Sequence, residues 1–201
     1  MSTLPDLVQV CSDAVAPSLW RNGGGRTREL LTRPRQGEWR LRISLADIDR
    51  DGPFSAFPGT QRWFGVVAGS GVSLRFGQDV RRLSADSPAL HFDGAAAPDC
   101  HLLNGPTRDL NLMLRSGSAH MSRVQGNAAW DAPFRERGLF AHGEGTLHCA
   151  GGEALALAAF TLVWFVGPGP CQFEPRSAAN SGRTGNYGWW LGWSPEQAQQ
   201  S

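Results

Sequence analysis

Between Glu38 and Ile48 (EWRLRISLADI) apolar and polar residues alternate, with Trp39, Leu41, Ile43 and Leu45 on one side and Arg40, Arg42 and Ser44 on the other. Successive side chains of an extended chain point to opposite sides, so a period of two predicts a strand with one buried face. The pattern ends in an acidic turn that includes Asp47, Asp49, Asp51, Gly52 and Pro53. Arg62–Phe76 (RWFGVVAGSGVSLRF) predicts two further strands folded about Gly69-Ser70-Gly71. Asp79–Leu83 and Ala89–Phe92 read as short strands. Arg108–Arg115 reads as another, with Leu110, Leu112 and Leu114 opposite Asn111, Met113 and Arg115. Ala154–Val166 is the longest apolar run; it falls short of the roughly 20 residues a membrane-spanning helix needs and reads as buried β structure. Helical spacing is scarce, the one candidate being a short turn near Asn127–Glu136. Past Glu174 the chain turns to Ser, Asn and Gly, then closes on Trp189, Trp190, Trp193 and a polar tail expected to fray after Pro195.

The strand pattern is written twice. An offset of 74 residues pairs Gly69, Gly71 and Gly77 with Gly143, Gly145 and Gly151, Asp79 with Glu153, Leu83 with Leu157, and Ala89–Phe92 with Val163–Val166. With 25 glycines and 13 prolines spread along 201 residues, turns recur every handful of positions. A repeated antiparallel unit of this length predicts an all-β chain built as two jelly-roll barrels, with few or no helices. Residues 1–120 are expected to form an N-terminal arm and the first barrel. Residues 121–201 are expected to form the second barrel and a C-terminal tail, with strands shared between the two.

Composition narrows the partners. A formal net charge of +1 gives no electrostatic reason to expect nucleic acid or an anionic membrane. All 19 basic residues are arginine, which excludes a Schiff-base lysine and a Walker-type phosphate loop. Cys11, Cys100, Cys149 and Cys171 form no CxxC pair and fit a reducing cytoplasm, although two disulfides remain formally open. The opening MSTLPDLVQV lacks the basic start and apolar core of a signal peptide, so a soluble, cytoplasmic protein is expected.

WRNGGGRTREL (Trp20–Leu30), RISLADIDRDGPFSAFPGTQR (Arg42–Arg62) and LLNGPTRDLNLMLR (Leu102–Arg115) resemble the HutD/Ves family. That resemblance implies a bicupin fold, two cupin barrels in one chain, and an association with bacterial histidine utilisation. It implies no settled catalytic activity.

Many cupins hold a metal with an HxH pair, a nearby Glu and a later His, because the ion needs three or four convergent imidazole or carboxylate ligands. Arg62–Phe76 contains no histidine; His142 and His148 stand six apart with only Glu144 close by, and His91, His101 and His120 are isolated. No metal and no cofactor are expected. Asp47, Asp49 and Asp51 lack the closing Glu of a calcium loop and read as a turn whose carboxylates cap backbone N–H groups. No GxSxG elbow occurs, and adjacent Cys100 and His101 point to opposite faces.

Arg62 opens the strand entering the first hairpin, just after Phe54, Phe57 and the Pro58-Gly59 bend. An arginine at a barrel mouth beside aromatic walls offers a fork for a carboxylate. The structural alternative is an ion pair with Asp51, Glu29 or Asp109. Asn22-Gly23-Gly24-Gly25 is either an anion-binding nest or a turn that lets the chain cross a barrel edge closely. Thr27 and Glu29 alternate with Arg26 and Arg28, so one pair faces the barrel. Asp109 and Asn111 share a strand face and can orient an arginine or a ligand. The candidate ligand-binding set is Arg62, Asn22, Gly23, Gly24, Thr27, Glu29, Phe57, Asp109 and Asn111. Trp39, Trp63, Trp130 and Trp164 read as core.

The first functional reading is an accessory or regulatory protein that binds a small anionic metabolite of histidine utilisation such as urocanate, formiminoglutamate or formylglutamate. The alternative is a metal-independent isomerase or hydrolase with Glu29 or Asp109 as general base. A third is a structural protein that forms a homodimer through exposed Trp189, Trp190 and Trp193.

Overall fold

The computed structural model of the chain describes residues 6–176 and 186–196. In chain order the strands are β1 (Val8–Cys11), β2 (Ser18–Leu19), β3 (Gly25–Arg33), β4 (Leu41–Ile48), β5 (Gly52–Pro53), β6 (Gln61–Ala68), β7 (Val72–Phe76), β8 (Asp79–Leu83) and β9 (Leu90–Asp93). They continue as β10 (Asp99–Leu102), β11 (Thr107–Leu114), β12 (Ser118–Gln125), β13 (Glu136–Ala141), β14 (Gly145–Cys149), β15 (Leu155–Leu157), β16 (Thr161–Val166), β17 (Cys171–Pro175) and β18 (Asn186–Ser194). Two short 3₁₀ turns, Ser12–Ala14 and Gly94–Ala96, are the only helical elements among the described residues. The helical turn predicted near Asn127–Glu136 does not form. Trp130 instead exchanges backbone hydrogen bonds with Cys171 at 2.7 and 2.9 Å, which holds that segment extended. The polar tail beyond Glu196 lies outside the described residues.

The chain divides into two compact units. Val15–Ser116 forms the first, with a six-stranded sheet ordered β2-β3-β4-β11-β6-β9 and a four-stranded sheet ordered β5-β10-β7-β8. The second combines the stretch ending at Ala14 with the stretch from Gly117 onward, in sheets ordered β1-β16-β13-β18-β12 and β15-β14-β17. Every pairing is antiparallel. The repeat read in the sequence reappears as topology: β4-β11-β6-β9 matches β12-β18-β13-β16, and β10-β7-β8 matches β17-β14-β15. The amino-terminal arm differs from its expected place. β1 pairs with β16, Val8 opposite Trp164, because it completes the edge of the second unit's larger sheet.

Each unit closes on its own apolar interior. Ala46, Ile48, Phe64, Val66, Val72 and Leu74 fill the first, and Leu139, Leu147, Val163, Phe165, Phe173 and Trp190 fill the second. Tight approaches between strands depend on missing side chains. At Gly71 (φ +101°) a Cβ would stand 2.0 Å from the Leu83 carbonyl oxygen.

Three expectations need correcting. β4 is buried on both faces, since Ser44 and Ala46 are as inaccessible as Leu41, Ile43 and Leu45; its alternation separates two interior environments and not core from water. Trp189, Trp190 and Trp193 are buried, because β18 lies between β12 and β13 within a sheet, so they offer no exposed aromatic face for a homodimer. Cys149 and Cys171 face each other across β14 and β17 and form a disulfide, whereas Cys11 and Cys100 are free thiols. Of the tryptophans read as core, only Trp164 is fully buried, its Nε1–H donating to Glu136 Oε2 at 2.6 Å. Trp63 stacks on His91, Trp130 on Trp190, and Trp39 lies under Arg115. Among the described residues, no helix is long and apolar enough to cross a membrane.

Candidate functional site

The first unit contains a cavity of about 650 Å³. Strand geometry determines its lining. On β4 the side chains of Arg42, Ser44 and Ala46 point inward together, and they meet Arg62 from β6 and Asn111 and Met113 from β11. Thr27 of β3, Ser18 and Leu19 of β2, the Trp20-Arg21-Asn22 bend and the loop residues Pro53, Phe54, Ser55 and Phe57 complete the wall.

Arg62 is the buried charge of this cavity, only 9% exposed. Its Nε and Nη2 both donate to Asn111 Oδ1, at 2.8 and 2.5 Å. Its guanidinium carbon lies 4.4 Å from the centre of the Phe54 ring, 5.5 Å from Phe92 and 6.0 Å from Phe64, an aromatic enclosure that attracts a cation through the ring faces. Burial pushes the Arg62 pKa down to about 10, and Asp109 opposes the shift. Asp109, fully buried behind the cavity, is pushed up to about 8 by burial, against a hydrogen bond from Thr107 Oγ1 at 2.6 Å and the charge of Arg62. Burial thus works against ionisation of Asp109 and weakens it as a counterion for Arg62.

None of the ion-pair partners anticipated for Arg62 hydrogen-bonds to it. Asp51 accepts from Leu102 N at 2.8 Å and meets His101 Nδ1 at 3.0 Å, and Glu29 pairs with Arg42 at 2.9 Å. Asn22, Thr27, Phe57, Arg62 and Asn111 come together at the cavity, whereas Gly23, Gly24, Glu29 and Asp109 are not part of its wall. Gly23 N–H donates to the Trp20 carbonyl and Gly24 N–H to Asn22 Oδ1, both at 3.0 Å, so this loop is a closed turn with these amides in use. Gly25 shows why glycine is needed there: a Cβ would stand 2.4 Å from the Asp47 carbonyl oxygen. Of the two alternating pairs on β3, Thr27 reaches the cavity, its Oγ1 accepting from Trp20 Nε1 at 2.8 Å. Arg26 and Arg28, joined by Arg108, bind the Asp47 carboxylate. Asp47 is thus a strand residue that draws β3, β4 and β11 together, and not part of a capping turn.

Arg42, Ser44, Phe54 and Met113 also line the cavity and were absent from the candidate set. The signal for Arg42 and Ser44 was the polar side of the β4 alternation, which is indistinguishable in sequence from a solvent face. No His, Cys, Asp or Glu lines the cavity, and no group of three or more such residues stands together among the described residues. The donors present do not fit the transition metal that cupin barrels often hold.

Two jelly-roll units, each with the same sheet order, define a cupin-like double-barrel protein. A variant of Bacillus subtilis oxalate decarboxylase shares this fold over 98% of this chain and 80% of its own, with a TM-score of 0.61 and 8% identity. The chain belongs to the HutD family, whose pattern matches residues 12–179. HutD from Pseudomonas fluorescens SBW25 superposes over 95% of this chain and all of its own, with a TM-score of 0.79 and 22% identity. An uncharacterized 21.2 kDa protein from the hutC 3' region of Pseudomonas putida is 39% identical over 98 residues, 47% of this chain and 50% of that protein. Protein Ves of Citrobacter koseri is 34% identical over 102 residues, 49% of this chain and 52% of that protein. The chain thus spans about half the length of the curated relatives it matches.

Proposed function

We propose that this protein binds a small carboxylate metabolite of histidine utilisation at Arg62 and acts as an accessory or regulatory protein. The observation that carries this reading is a buried guanidinium hydrogen-bonded to an uncharged amide, in a cavity with no carboxylate in its wall. A buried charge without a counter-charge is costly, and a ligand carboxylate supplies one through charge-assisted, directional hydrogen bonds. Arg42, in the same wall, is a second guanidinium, its charge already met by Glu29 at 2.9 Å, so Arg62 is the cation left for the ligand. A volume of about 650 Å³ is within the range of small-metabolite sites. The pathway rests on the HutD family and on the relative named for its place beside hutC. Urocanate, formiminoglutamate and formylglutamate each present a carboxylate to the fork. Catalysis by Glu29 or Asp109 draws no support from the geometry, since neither side chain lines the cavity.

Calorimetric titration of the protein and of Arg62→Ala with these three metabolites tests the proposal. Saturable heat for at least one metabolite, lost in the variant, supports it. Identical heats for both proteins, or no heat for any metabolite, overturns it.

A further inference from the structure

The second unit contains a counterpart of Arg62. Arg137 lies on β13, which holds the place in its sheet that β6 holds in the other. Arg62 pairs in register with Phe92 on one side and with β11 on the other; Arg137 pairs with Phe165 on one side and with β18 on the other. Both guanidinium groups lie over aromatic rings. For Arg137 the centroids are those of Trp130, at 5.7 Å, and Phe165, at 5.5 Å. Its side chain is 1% exposed.

The difference is in the acceptor. Asn111, which holds Arg62, stands opposite Phe64, two residues after the arginine. The corresponding position, opposite Leu139, is Trp190. An indole N–H donates and cannot accept, so the repeat has kept the cation and lost its partner. Arg137 Nε and Nη1 are buried and have no hydrogen-bond partner. The nearest carboxylate, Asp131, is 3.6 Å from Nη1, beyond hydrogen-bond range, and is itself 63% exposed. Two parallel indoles, Trp130 and Trp190, stand 5.1 Å apart beside the guanidinium and form an apolar wall with no acceptor in its rings. A buried arginine with two unmatched donors calls for an anionic acceptor.

We propose that Arg137 is a second ligand site, which takes the carboxylate of a small acid end-on at Nη1, the nitrogen that Asp131 now faces. The ligand enters beneath the exposed, irregular segment that carries Asp131 and takes over the loose contact that Asp131 now makes. The site lies in the second unit and does not depend on the reading of Arg62.

The test uses the full chain as Arg62→Ala, so that the first cavity does not contribute, with acetate as the probe. The Arg137 Nε–H resonance is followed by ¹⁵N NMR in this protein and with Asp131→Asn added. The site predicts a saturable shift of that resonance, with tighter binding once the competing Asp131 charge is removed. It also predicts that acetate raises the melting temperature of these proteins and not of Arg62→Ala/Arg137→Met. A resonance that does not respond saturably to acetate in either protein overturns the proposal. So does a weaker response when Asp131 is neutralised, which would make Asp131 the working partner.

Discussion

The Arg62 guanidinium gives two of its nitrogens, Nε and Nη2, to a single oxygen of the Asn111 side chain, at 2.8 and 2.5 Å. The amide fixes the plane of the fork without cancelling its charge. Asp109, two residues earlier on the same strand face, is the acid whose charge favours the Arg62 cation against its burial, and its own burial disfavours that charge. A cation held in this way is oriented for a ligand and not neutralised beforehand.

Asn111→Leu removes the acceptor and leaves the buried guanidinium without it. The expected cost is about 1–3 kcal/mol of stability in urea denaturation, the usual penalty for an orphaned buried donor. Ligand affinity should fall as well, because the fork loses its fixed plane. Unchanged stability would mean that Asn111 does not hold Arg62.

The pH dependence of stability reports on Asp109. Its folded pKa, about 8, lies above the ordinary 3.8, so between those values the folded protein holds a proton that the unfolded chain has released. Its contribution is complete below pH 3.8, declines as pH rises towards about 8, and is constant beyond. Asp109→Asn should abolish this decline and gain stability over the parent as pH rises. Parallel melting curves across the range would show that Asp109 is already ionised at neutral pH.

Asp47 carries the opposite sign. Burial works to raise its pKa, but hydrogen bonds from Arg26, Arg28 and Arg108 outweigh it and hold the group at about 2. Its stabilisation is present above pH 3.8 and is lost as pH falls towards 2. Asp47→Asn should cost about 2 kcal/mol at neutral pH, towards the low end for breaking such a cluster because the arginines are partly exposed. Chemical denaturation at neutral and acid pH checks this: the difference between parent and variant should shrink in acid.

Gly25→Ala forces a methyl group to within 2.4 Å of the Asp47 carbonyl oxygen. The strands must separate, at about 1–3 kcal/mol, a typical cost of overpacking. Because Trp20 N–H donates to the Gly25 carbonyl, the bend that walls the cavity should shift and ligand affinity should drop. Gly23→Ala, with open space around its Cβ, should leave packing intact and carry only the strain of its φ of +66°.

Much of the barrel could be read from the sequence because period-two alternation and turn glycines are local signals. The offset between Gly69 and Gly143 anticipated two sheets of the same order. Arg62, Asn111, Thr27 and Phe57 could be found because they interrupt apolar strands or adjoin a Pro-Gly bend. Arg42 and Ser44 could not, since alternation does not say whether a polar face meets water or a cavity. Trp189 and Trp193 were misjudged because their burial depends on the strands that flank β18. The Cys149–Cys171 bridge depends on a register between β14 and β17 that no local pattern carries.

The most direct test of the central claim compares affinity for a carboxylate ligand with affinity for its neutral amide, in the parent and in Arg62→Met. If Arg62 reads the ligand charge, the parent should prefer the carboxylate by about 100-fold, near 2.7 kcal/mol, and the variant should lose nearly all of that preference. Equal preference in both proteins would contradict the account.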